Sequence, residues 1–180
     1  VEIEKEMLLK AFDSNWIAPA GPDIEAFEKE VSEYLQINSA CALNSGTSAL
    51  HLAMRIIGIS SSDVVLCPTL TFSASANVIL YQNASPVFVD IDLDNWTIDV
   101  NLLEKAIHEY NPKALITVDL YGNSCNYDQI INLCEKHNMV LVEDAAEALG
   151  SEYKSNKLGT FGQMGVLSFN GNKIITTGGG

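Results

Sequence analysis

Five short runs of almost unbroken apolar residues constrain this chain more than any other feature: "DVVLCP" (63–68), "PVFVDI" (86–91), "ALITVDL" (114–120), "MVLVEDA" (139–145) and "GVLSF" (165–169). A strand with one face in water alternates apolar and polar residues, so a strand that is apolar throughout needs cover on both faces. Stretches of helical period separate the runs: "TSALHLAMRIIG" (47–58), "FSASANVILYQ" (72–82), "DVNLLEKAIHEY" (99–110), stopped by Asn111 and Pro112, and "YDQIINLCEKHN" (127–138). Two more helices are expected over 2–12 and 23–35, the second with Pro22 and Asp23 near its start, and a further strand over "SACALNS" (39–45). Strands and helices alternating in this way predict an α/β fold of the doubly wound class, with a mostly parallel sheet between layers of helix.

The chain has 180 residues, enough for one sizeable core. Its 10 basic against 23 acidic side chains give a formal charge of −13, which argues against nucleic acid or an anionic membrane as main partner. No apolar run is long enough to span a bilayer, and no basic-then-apolar leader opens the chain. It begins at Val1 rather than Met, so the natural N-terminus is expected upstream. Cys41, Cys67, Cys125 and Cys134 show no C-x-x-C spacing, which predicts a reduced, cytoplasmic protein without disulfides or zinc. His51, His108 and His137 fall in three separate helices, and no metal site is expected.

Ligands of parallel sheets bind beyond the carboxyl ends of the strands. That rule selects "NSGTSAL", "PTLTF", "DLYGN", "EDAAE" and "SFNGNK". In the first, a glycine and two hydroxyl residues open a helix, so the N–H groups of Gly46, Thr47 and Ser48 can converge on an anion; the same residues also serve as plain helix caps. No G-K-[ST] follows and the three glycines of a dinucleotide fingerprint are missing, which leaves a monophosphate as the better fit. In "EDAAE" a very apolar strand ends in Glu143 and Asp144. Asp144 either caps a following helix, with Glu147 three residues on, or is held against a ligand cation. Lys173 stands between an apolar strand and three glycines. It reads as an exposed turn lysine or, if enclosed, as an amine nucleophile.

A phosphate-binding helix start, an aspartate for a pyridinium nitrogen and a lysine for an imine are together what a protein supplies to pyridoxal 5′-phosphate. With that set in view, the chain resembles the fold-type I aminotransferases. More narrowly it is similar to the DegT/DnrJ/EryC1/StrS sugar aminotransferase family. The matching stretches are "WIAPAGPDIEAFEKEVSEYL", "CALNSGTSALHLAM", "PTLTFSASANVI", "PVFVDID", "VDLYGN" and "LVEDAAEALGSEYKSNKLGTFGQMGVLSFNGNKIITTGGG", which together cover essentially all 180 residues.

The resemblance implies a three-layer large domain of the fold-type I kind, with pyridoxal 5′-phosphate attached to Lys173, which then moves the proton. It implies that Asp144 holds the pyridine nitrogen protonated and that Glu147 lies near the ring's phenolic oxygen. Phe72 matches the aromatic that stacks on the ring, with an ordinary core Phe as the lesser alternative. Gly46, Thr47, Ser48 and Ser168 match the phosphate site. Family members carrying histidine at the lysine position are dehydratases, so Lys173 favours transamination. The implied reaction moves an amino group, from glutamate, to a nucleotide-linked keto-deoxy sugar for surface polysaccharide or glycan synthesis. The "NGNKIITTGGG" form most resembles members making 4-amino-4,6-dideoxy-N-acetylhexosamine nucleotides. A dehydratase and a non-catalytic cofactor-binding regulatory module are the alternatives. Members are homodimers of roughly twice this length, so residues 1–180 are expected to be the N-terminal segment and most of the large domain, ending just after the catalytic lysine.

Overall fold

The computed structural model describes every residue except Val1, Ile17 and Pro19. It separates into two compact units, Val1–Ala42 and Leu43–Gly180. The first holds helices α1 (Glu2–Asp13) and α2 (Pro22–Leu35). Pro22 opens α2, where a missing N–H costs nothing, and Gln36 ends it in the left-handed conformation. The large apolar residues of α1, among them Ile3, Met7, Leu8 and Phe12, are exposed.

The second unit begins with α3 (Gly46–Ile56) and β1 (Val64–Pro68), followed by α4 (Ala74–Leu80) and β2 (Ser85–Val89). Helix α5 (Val100–Tyr110), β3 (Ala114–Val118), α6 (Tyr127–His137) and β4 (Val140–Asp144) come next. A small hairpin of β5 (Glu152–Tyr153) and β6 (Asn156–Lys157) precedes β7 (Met164–Val166). Five strands form one sheet in the order β2-β1-β3-β4-β7, with every pair parallel. The chain leaves β1 toward β2 on one side and returns to β3 on the other, which opens a crevice at the carboxyl ends.

Alternation along each strand sends the apolar side chains to two cores. Leu66, Leu115 and Leu141 face a cluster with Leu103 and Ile107 of α5 and Tyr127 and Ile130 of α6. Val65, Cys67, Ile116 and Val142 face the other, with Leu50 and Met54 of α3 and Val78 and Ile79 of α4. Each such side chain contributes about 1.5–3 kcal/mol by leaving water. The continuous apolar runs are the signature of this double burial, and the three layers match the expectation from sequence.

Some expected boundaries move. Residues 39–45 form no strand. They pair with no neighbouring ladder, and the Ala42 N–H donates instead to Glu28 Oε1 at 2.7 Å. The helix expected over 72–82 narrows to Ala74–Leu80, and the last strand ends at Val166 rather than 169. Beyond it the backbone closes on itself: the Phe169 N–H donates to the Gly180 carbonyl at 3.0 Å and the Thr177 N–H to the Phe169 carbonyl at 2.9 Å. Lys173 lies inside that loop.

Gly165 in β7 shows how tightly this edge is packed. A Cβ there would stand 2.0 Å from the Gly159 carbonyl oxygen and 2.6 Å from its carbon. The obstacle is backbone, which cannot rotate away as a side chain would. Gly165→Ala is therefore expected to lower stability by about 3 kcal/mol, read from the urea midpoint. A midpoint equal to wild type would show that the 159–162 loop can move freely.

Candidate active site

The carboxyl ends of the sheet surround a cavity of about 460 Å³. Gly46, Thr47, Phe72, Asp144, Glu147, Ser168 and Lys173 all line it, brought together from five separate segments.

Helix α3 delivers the first group. Ser45 is its N-cap, and the first helical N–H groups, those of Gly46 and Thr47, have no intrahelical acceptor. They face the cavity at the positive end of the helix. Gly46 packs against the segment after β7, where a Cβ would meet the Ser168 Cβ at 3.2 Å. Ser48 does not join them. Its N–H donates to Ser45 Oγ at 3.1 Å, and the Ser45 hydroxyl donates to Ser48 Oγ at 3.0 Å. The Ser48 N–H is spent on the cap, so the expected trio of free N–H donors reduces to Gly46 and Thr47. The Ser168 hydroxyl donates to the Gly180 carbonyl at 3.0 Å while lining the same cavity.

Asp144 closes β4 and is only 5% exposed. Ser75 Oγ donates to its Oδ2 at 2.8 Å, and the Ala146 N–H to its Oδ1 at 3.3 Å. No helix follows it, so the capping role left open by the sequence is not the one it plays. Burial pushes the Asp144 carboxyl above the ordinary carboxylate range, partly offset by Ser75, Ala146 and the charge of Lys173. A buried carboxylate with so few donors gains most from a cation placed in the cavity.

Lys173 is held by a turn, its N–H donating to the Asn170 carbonyl at 2.9 Å. Its Nζ lies 3.2 Å from Glu147 Oε1, with the lysine side chain 14% exposed. Glu147 Oε2 also accepts the Tyr121 N–H at 3.1 Å. Tyr121 is not glycine, yet it has φ 54°, a conformation that this carboxylate helps to hold. Phe72 is 72% exposed, its ring free to cover a ligand rather than built into the core.

Two functional side chains escaped the sequence reading. Ser75 is fully buried and orients Asp144; with its only proton on that carboxylate, Thr71 is the donor in the 2.8 Å Thr71–Ser75 contact. Asp119, in "DLYGN", lines the cavity while almost wholly buried. Burial, then the neighbouring Glu143, pushes its carboxyl up to about 8. Ser75→Ala is expected to cost about 2 kcal/mol at neutral pH, the value of a hydrogen bond to a charged group. The loss should shrink in acid, where a protonated Asp144 needs the donor less; denaturation at two pH values checks this.

The chain matches the profile of the DegT/DnrJ/EryC1/StrS aminotransferase family over residues 1–180. EpsN of Bacillus subtilis (strain 168) is 47% identical over 98% of this chain and 47% of its own. The GDP-perosamine synthase of Escherichia coli O157:H7 is 44% identical over 98% of this chain and 48% of its own. Among solved structures, the PLP form of Spr1654 from Streptococcus pneumoniae superposes with a TM-score of 0.92 at 34% identity, covering 98% of this chain and 48% of that one. The chain thus spans about half the length of the relatives it matches.

Proposed function

The chain belongs to the DegT/DnrJ/EryC1/StrS aminotransferase family, and from that membership we propose that the whole protein is a pyridoxal 5′-phosphate-dependent aminotransferase acting on a nucleotide-linked keto-deoxy sugar, with glutamate as amino donor. The observation that carries the reading is the convergence of Lys173, Asp144 and the α3 N-terminus on one cavity. These groups fit the cofactor in chemistry and number: a primary amine, a buried carboxylate in want of a cation, and free backbone donors for a phosphate. Pyridoxal phosphate, when bound, supplies an electron sink for the carbon that loses a proton.

Everything else is the work of this chain's residues. Asp144 would hold the proton on the pyridine nitrogen, and its low exposure makes that pairing strong. Gly46 and Thr47 would donate to the phosphate, with the Ser168 hydroxyl beside them and Ser48 supporting them through the cap. Phe72 would lie over one face of the ring and exclude water. Lys173 would be the point of attachment and then carry the proton between substrate and cofactor, its amine steered by Glu147. A lysine here, where a histidine would suit dehydration, supports transamination.

The reading makes residues 1–180 the N-terminal segment and most of the cofactor-binding domain of a cytoplasmic homodimer. Free, buried thiols at Cys67, Cys125 and Cys134 support a reducing compartment, and among the described residues no helix is long and apolar enough to cross a membrane.

Borohydride reduction of the full-length, cofactor-loaded protein should leave a pyridoxyl adduct on Lys173, located by mass spectrometry. An unmodified Lys173 sinks the proposal. Incubation with glutamate and a keto-sugar nucleotide should then yield an amino sugar; a deoxygenated product without new nitrogen would mean a dehydratase, and an adduct without turnover a binding module.

A further inference from the structure

Three carboxyl groups end two neighbouring strands. Glu143 and Asp144 close β4, and Asp119 follows β3, its N–H donating to the Asp144 carbonyl at 3.1 Å. Thr117 pairs with Glu143 in the sheet, and Asp119, two residues on, shares its face. Asp119 and Glu143 lie within hydrogen-bonding reach of each other, with 1% and 0% exposure. Two carboxylates buried side by side cannot both stay ionised cheaply.

The donors around them are unequal. Glu143 accepts three backbone N–H groups, from Gly159, from Phe161 at 2.7 Å and from Gly162 at 3.3 Å. Asp119 has the Cys125 N–H at 3.2 Å and one Tyr127 hydroxyl, placed 2.9 and 2.8 Å from its two oxygens. A single tyrosine proton serves one oxygen at a time, so one oxygen of Asp119 has lone pairs to spare. The groups around Asp119 are Glu143 from β4, Tyr127 from α6 and Cys125 from the connecting loop, with Asp144 reached through its backbone carbonyl, and none is a cation. Across the cavity Lys173 is paired with Glu147. Tyr127 stacks on Phe161 with ring centres 4.3 Å apart, which ties the ring beneath Asp119 to the loop that Glu143 holds.

We propose that Asp119 is a positioning residue that works as a neutral carboxylic acid, donating its proton to Glu143 and accepting from Tyr127, so that the wall behind Asp144 carries one negative charge fewer than it has carboxyl groups. Asp144 would then meet the pyridine nitrogen without a further anion at Asp119 in the same cavity lining. Loss of the Asp119 proton adds that anion and strengthens the hold on the ring proton. This consequence rests on the cofactor reading above; the location of the proton does not.

The sign of the pH effect follows from Asp119 binding its proton more tightly folded than unfolded. Its contribution to stability is complete below the ordinary aspartate value of 3.8 and is lost as pH rises to about 8.

Infrared difference spectra of the full-length protein, wild type minus Asp119→Asn, test this directly. At neutral pH they should show the carbonyl band of a protonated acid, shifted in heavy water and fading as pH rises through about 8. Tyr127→Phe keeps the acid but removes its donor, so the band should persist at higher frequency, which covers the case in which the asparagine variant does not fold. Absence of the band from both wild type and Tyr127→Phe overturns the proposal. In the cofactor-loaded protein, the visible spectrum of wild type should titrate over the same range and that of Asp119→Asn should not. Bound cofactor whose spectrum titrates identically in both would overturn the positioning role while leaving the cofactor reading intact.

Discussion

Replacing Lys173 by alanine in the full-length protein is expected to lower turnover by roughly 10⁴-fold, the upper range for a lost acid–base group, and to abolish the borohydride adduct. The same change should leave the unfolding midpoint nearly untouched. Lys173 sits in a loop bounded by the Phe169–Gly180 contact rather than in either core, and its one ion pair is with a Glu147 side chain that is 31% exposed. A partly solvated pair of this kind is worth about 0–1 kcal/mol. Activity and stability are therefore separable here, and their separation is diagnostic. Steady-state amine production together with urea denaturation of both proteins checks it. Full turnover in Lys173→Ala would overturn the assignment, and a large loss of stability would mean that the lysine serves the fold. Arginine should not rescue, because a guanidinium remains protonated and offers no nucleophilic lone pair.

The parallel sheet was legible because it follows from local pattern: Val64–Pro68, residues 114–116 and residues 139–142 are apolar at successive positions, and double burial is the state that suits them. "SACALNS" carries a similar apolar density yet forms no strand, because a strand exists only where a ladder partner does, and the nearest donor–acceptor match for Ala42 is a side chain of α2. The site divides in the same way. Gly46, Asp144 and Lys173 occupy a helix start, a strand end and a loop, positions whose chemistry shows in residue type and order. Ser75 reads as one more small residue in "FSASANVI"; its partner Asp144 is 69 residues away, and only folding joins them. Asp119 lay in a stretch that the strand-end rule selected, but its burial and its closeness to Glu143 depend on the register between β3 and β4. Ser48 shows the converse, a residue of the right type whose donor is consumed locally by the cap.

Glu143→Ala is the substitution expected to cost the fold most, about 3–5 kcal/mol, because each buried N–H left without an acceptor costs about 1–3 kcal/mol. Its side chain is fully buried, and removal strips the acceptor from the N–H groups of Gly159, Phe161 and Gly162 at once. The loop they belong to lies against β7, where Gly165 touches the Gly159 carbonyl, so loosening it also exposes an edge of the main sheet. Against a typical total of about 5–15 kcal/mol, such a loss should be plain in the urea midpoint. Glu143→Gln keeps one carbonyl oxygen but turns an amide toward the donors, and it should fall between alanine and wild type. The contrast that isolates burial is the Lys154–Asp128 pair, which is equally intimate but 64% and 54% exposed. Lys154→Ala should change stability by less than about 1 kcal/mol. If the two alanine variants were equally stable, the 159–162 loop would be held by packing alone, and the carboxylate of Glu143 would be free to serve the Asp119 proton and nothing else.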